Sequence, residues 1–152
     1  MKEIVRYLGI GTRSQLLAEQ LWQHIEEPSG EIIGAFYRDT QQSAAGSLLE
    51  GRIIERLSVA QREHWHSLFN SGFDDAYLRR AALIGIKHHE MGLDPKWYIA
   101  AYALMKARFA EHLLLHTDVP LPLKSALVVT LEKYVAVDMA LALSSYSSWL
   151  VD

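Results

Sequence analysis

The chain has 152 residues, a length that fits one domain burying roughly two thirds of its unfolded surface. Its formal net charge of −3 excludes the basic face that nucleic-acid phosphates demand, and the lack of cysteine excludes disulfides, thiolate metal sites and a cysteine nucleophile. Half of the residues are hydrophobic, yet no unbroken apolar run is long enough for a membrane span and the start Met1-Lys2-Glu3-Ile4-Val5-Arg6 has no signal-peptide core, so a cytoplasmic location away from any membrane is expected.

In chain order, Glu3 to Leu8 can form a short helix. Thr12 can cap a longer one running to about Glu27, with Leu16, Leu17, Leu21, Trp22 and Ile25 on one side. Glu26-Glu27-Pro28-Ser29 reads as its exit, and a further helix from about Ser29 to Arg38 buries Ile33, Phe36 and Tyr37 before the polar stretch Asp39 to Ser43. Ala44 to Leu49 allows only a turn or two. The span from Arg52 to Phe69 predicts a long helix with Ile53, Leu57, Ala60, His64 and Leu68 inward, flanked by Ile54, Gln61 and Trp65. Asn70-Ser71-Gly72 stops it, and Asp74 can cap the helix that carries His88. Gly92 closes that helix and Asp94-Pro95 opens the next, which runs from Pro95 to His116 with Tyr98, Tyr102, Met105, Phe109 and Leu113 in register. After the break at Thr117 to Pro122, the span from Leu123 to Leu150 is apolar on more than one side, as in a helix that is central or shared with another chain. No strand is predicted, so the fold class is all-α, with six to eight helices too unequal for a simple four-helix bundle.

His88 shares an apolar stripe with Tyr77, Ala81, Ile84 and Met91, where ordinary packing would place another leucine. Such an imidazole is either a core histidine satisfied by a neighbouring carbonyl or a ligand, for instance to haem iron in a globin-like pocket. A non-haem di-iron bundle is prompted by Glu63-His64-Trp65-His66 and by His88-His89-Glu90, but such a site takes two Glu-x-x-His motifs and two further inward carboxylates. This chain has one copy, and Asp138 is the only acid deep in an apolar stretch. Ser144, Ser145, Ser147 and Ser148 lie in a helix tail without a nucleophile turn, and no catalytic activity is expected within these residues.

The run Ile84-Gly85-Ile86-Lys87-His88-His89-Glu90-Met91-Gly92-Leu93-Asp94-Pro95-Lys96-Trp97-Tyr98-Ile99-Ala100-Ala101-Tyr102 closely resembles the signature of the sensor globins, the haem domains of globin-coupled sensors. Phe36-Tyr37 resembles the Phe-Tyr pair of their second main helix, and the stretch from Arg56-Leu57 to His64 resembles their distal helix. The resemblance implies a globin fold over 1–152, haem b (iron protoporphyrin IX) as cofactor, and His88 rather than His89 as the proximal iron ligand. It implies Tyr37 as hydrogen-bond donor to a bound O2, CO or NO, with Leu57 and Ala60 beside the ligand. Phe36, Ile53, His64, Ile84, Met91, Tyr98 and Tyr102 are then expected to line the cofactor. It further implies a homodimer through the helices from Pro95 to His116 and from Leu123 to Leu150, signalling to an output domain beyond this chain, of which a diguanylate cyclase is favoured. The alternatives are a stand-alone globin serving as gas carrier or in nitric oxide or peroxide detoxification, and a cofactor-free helical dimerisation module.

Overall fold

The computed structural model describes residues 1–144 and 146. It contains α1 (Lys2–Tyr7), α2 (Thr12–Gln41), a 3-10 turn (Gly46–Leu49), α3 (Ile54–Asn70), α4 (Asp75–Glu90), α5 (Pro95–Leu115) and α6 (Leu121–Ser144), with no strand among the described residues. The expected continuation of the last helix to Leu150, and the serines Ser145, Ser147 and Ser148, lie outside the described residues. No helix among the described residues is long and apolar enough to cross a membrane.

One expected boundary is absent. The chain does not break at Pro28, and α2 runs through it as a single helix of 30 residues. Its buried stripe, Ala18, Leu21, Trp22, Ile25, Ser29, Ile33, Phe36 and Tyr37, keeps helical period across the proline. An interior proline removes the hydrogen bond to the carbonyl four residues back and costs ~3 kcal/mol. Here that carbonyl, on His24, faces the His112 side chain of α5. The neighbouring Glu26 carbonyl accepts from Arg62 of α3 at 3.1 Å and from Ser29 Oγ at 2.6 Å, while Arg62 Nε donates to Ser29 Oγ at 3.0 Å. The proline therefore frees one acceptor, on the side of α5, while Arg62 of α3 ties to the Glu26 carbonyl and Ser29 next to it, and tertiary contacts override local propensity.

Thr12 is the first residue of α2 rather than its cap, a place taken by Gly11, whose N–H donates to Ser14 Oγ. The other helix ends follow local chemistry. Asp74 accepts from the Tyr77 N–H at 2.8 Å and Asp94 from the Lys96 N–H at 2.9 Å. Gly92, at φ +81°, supplies the left-handed residue just past α4. Between α3 and α4, Phe73 also takes positive φ, and its ring is held between Tyr77 and Tyr134.

The apolar girth of α6 is explained by its central place, packed against α2, α4 and α5. Leu127, Leu131, Tyr134, Val135 and Val137 are buried, each leucine contributing ~1.5 to 3 kcal/mol. Val129 points outward. The core gathers Leu21, Ile25, Ile33, Leu68, Phe69, Phe109 and Leu113 around this helix. By contrast, the consecutive helices α3 and α4 are not closely packed on each other.

Candidate functional site

The inward stripe of α3 changes character along its length. Its second half, His64, Trp65, Leu68 and Phe69, is buried in the core. Its beginning is not: Ile53 is 50% exposed, Leu57 is half-buried and Ala60 is exposed. Residues 53, 57 and 60 share one helical face, so the protein leaves an apolar strip uncovered.

The C-terminal end of α4 carries His88. The His88 imidazole is half-buried, its Nδ1 lies 2.8 Å from the Ile84 carbonyl oxygen, and its ring meets Tyr98 edge-on with centroids 5.0 Å apart. A carbonyl can only accept, so Nδ1 carries the proton and Nε2 keeps its lone pair. Burial pushes the imidazole below its ordinary pKa, aided by the charges of Arg52 and His64 and opposed by the Ile84 bond. A neutral imidazole with a bare Nε2 is the form that ligates a metal.

Tyr37, on α2, reaches the same end of α3. Its hydroxyl accepts from Gln61 Nε2 at 3.0 Å and donates towards the Leu57 carbonyl at 3.5 Å, while Phe36 packs edge-on against its ring. Burial raises the Tyr37 pKa and the Gln61 bond partly offsets this, so the phenol keeps its proton at neutral pH.

A second polar cluster lies deeper. Asp138, 1% exposed on α6, accepts from His64 Nε2 at 2.8 Å, from the Tyr77 hydroxyl, and from the Tyr102 hydroxyl at 2.6 Å. Burial alone would push this carboxyl up, but the donors from His64, Tyr102 and Tyr77 outweigh it and hold the group below the ordinary carboxylate value. The His64 ring also stacks on Tyr77, and its Nδ1 is buried without a partner among the described residues.

A family model described as Protoglobin matches residues 1–150. The chain belongs to the Protoglobin family. Its fold is that of the globin domain of the Geobacter sulfurreducens globin-coupled sensor, with a TM-score of 0.86 at 18% identity, covering 96% of this chain and 97% of that one.

Membership of a globin family implies a haem, and this protoglobin's residues fit one. The fit rests on the bare Nε2 of His88 and on the uncovered strip Ile53, Leu57 and Ala60, an apolar surface of the kind a porphyrin face would cover. Of the other residues singled out in the sequence, Ile84 provides the carbonyl that fixes the His88 tautomer. Met91 caps α4 and is half-exposed. Tyr98 packs on His88, and Tyr102 stacks on Tyr98 with centroids 5.1 Å apart. His64, expected to line the cofactor, is buried with its Nε2 bonded to Asp138. The role of Gln61 beside Tyr37, and the convergence of His64, Tyr77 and Tyr102 on Asp138, were not read from the sequence. The one available signal for Gln61 was its spacing of four from Trp65, whose indole N–H donates to Gln61 Oε1 at 3.1 Å.

Proposed function

We propose that this chain is a haem-based gas-sensing domain that holds haem b on His88, takes O2, CO or NO, and signals through α5 and α6 to an output domain, with a diguanylate cyclase favoured. The observation that supports it most directly is the His88 imidazole with its proton committed to Ile84 and its Nε2 lone pair free. When bound, the haem supplies an iron with one position open to a diatomic gas. The chain supplies the rest. His88 fixes the cofactor from α4, and burial keeps the imidazole neutral at physiological pH. Ile53, Leu57 and Ala60 provide an apolar wall, worth ~25 cal/mol for each Å2 it buries, and exclude water from the gas. Tyr37 offers a hydroxyl proton engaged only by a long contact to Leu57. A red chain whose visible spectrum changes on reduction and again with O2 and with CO supports the reading; a chain left colourless after supply with hemin would sink it.

The proton of Tyr37 makes the site discriminate between gases. Dioxygen, once polarised, attracts a hydrogen bond more strongly than carbon monoxide does. Tyr37→Phe is therefore expected to speed O2 dissociation about 10- to 100-fold and CO dissociation by less than about threefold. Stopped-flow displacement measures both, and equal effects on the two gases would remove the role given to Tyr37.

Signalling has a contiguous physical route. The His88 ring touches Tyr98, Tyr98 stacks on Tyr102, and Tyr102 bonds Asp138 of α6. A shift at His88 thus bears on the helix that would pair with a second copy. Pairing is supported by Ile99, Leu115, Leu121 and Val129, apolar side chains left exposed on α5 and α6, and by a groove of about 140 Å3 between these helices, where Ile99, Val135 and Met139 lie beside the Lys106–Glu132 ion pair. Ile99→Asp combined with Val129→Asp is expected to yield a monomer of unchanged haem content in analytical ultracentrifugation, and an intact dimer would refute this interface.

A further inference from the structure

We infer that Gln61 is a positioning residue that sets the direction of the Tyr37 hydroxyl bond, turning its proton towards a bound gas. The inference deepens the reading of Tyr37 as donor and rests on it.

Two of the groups around Tyr37 can only donate. An indole N–H has no acceptor lone pair, so the contact of Trp65 Nε1 with Gln61 at 3.1 Å requires the amide oxygen to face the indole. The amide nitrogen must then face Tyr37, at 3.0 Å from its hydroxyl oxygen. That nitrogen can only donate, so the Tyr37 oxygen is the acceptor in this bond. Its own proton has to point elsewhere. The protein partner it finds is the Leu57 carbonyl at 3.5 Å, well beyond the ~2.7 to 2.8 Å of a good O–H···O bond. Trp65 is held in turn by edge contacts with Tyr102 and Phe109 and by its stack on Phe69, which keeps the first donor in place. The chain Trp65, Gln61, Tyr37 thus runs one way, from the core to the uncovered strip of α3, and ends in a proton that is available.

Two substitutions separate this role from packing. Gln61→Glu keeps the shape but replaces the amide with a carboxylate, which accepts from both Trp65 and Tyr37 and so draws the Tyr37 proton away. Gln61→Leu removes the bond without reversing it, leaving the proton free. Direction-setting predicts that both variants raise the O2 dissociation rate, Gln61→Glu by about tenfold or more, close to Tyr37→Phe, and Gln61→Leu, which leaves the hydroxyl undirected, by only about two- to fivefold. A packing role predicts the reverse order, because leucine is the larger change in chemistry and shape. Adding Gln61→Glu to Tyr37→Phe should bring no further acceleration.

A readout independent of gas release is the C–O stretching band of the carbon monoxide form, expected to move to higher frequency in Gln61→Glu and to broaden with a smaller shift in Gln61→Leu. The Trp65 indole proton, followed by NMR in the same diamagnetic form, should lose its downfield shift only in Gln61→Leu. Wild-type O2 release and an unmoved C–O band in Gln61→Glu, with Tyr37→Phe still fast, would overturn the role of Gln61 and leave that of Tyr37 standing. If Tyr37→Phe itself releases O2 at the wild-type rate, the underlying reading of the site fails instead.

Discussion

Replacing His88 with alanine is expected to lower haem retention by at least ~100-fold, since losing a partner of a metal ligand already costs 10- to 100-fold and here the ligand itself is lost. The geometry makes the expectation specific. His88 is the stripe-facing imidazole whose Nδ1 is tied to a carbonyl, whereas the ring of its neighbour His89 meets Tyr146. His89→Ala is therefore the matched control and should bind haem as the parent does. The measurement is the Soret absorbance of each variant after reconstitution and gel filtration, with circular dichroism to show that the helices remain. Added imidazole should restore part of the His88→Ala absorbance by occupying the vacated place. Equal retention by His88→Ala and the parent would end the account of this residue as an iron ligand.

The second large effect is expected at Asp138. Three donors from α3, α4 and α5 converge on its carboxylate, and truncation to alanine strands all of them inside the core. Each stranded donor costs ~1 to 3 kcal/mol, and partial relaxation brings the expected total to about 3 to 5 kcal/mol, read from urea unfolding. Asp138→Asn keeps an acceptor oxygen and should cost less. The pH dependence separates charge from shape. The folded-state pKa of this carboxyl is depressed, so its contribution is complete above the unfolded-state value of about 3.9 and is lost as pH falls through the lower folded value. Below about pH 4 the parent should therefore lose stability more steeply than Asp138→Asn. A cost under about 1 kcal/mol for Asp138→Ala would show that the cluster is not a structural hub.

The sequence made some features readable because their causes are local. The corner between α4 and α5 is written in Gly92, Asp94 and Pro95, whose backbone preferences act within a few residues, and the structure places the corner there. The strip of residues 53, 57 and 60 could be read from helical spacing, though its exposure could not, because that depends on α3 and α4 standing apart. Pro28 misled for the complementary reason. Its local chemistry predicts a break, but the stripe continues through Ile25, Ser29 and Ile33, and this stretch of α2 is held by Arg62 and His112, far away in sequence. Asp138 stood out as a lone acid in an apolar run, yet its partners lie 74, 61 and 36 residues away, a pairing that no periodicity encodes. Gln61 was legible only as a flank, since the sense of its amide depends on where the Trp65 indole points.

The bare apolar strip at the head of α3 also has a bearing on how such a chain is produced. A greasy face that only a guest molecule covers is, until the guest arrives, a contact site for any other newly made copy. Yield of dispersed material should then track porphyrin supply during synthesis, and a culture starved of iron would deposit this polypeptide in aggregates even though every helix in it is intact.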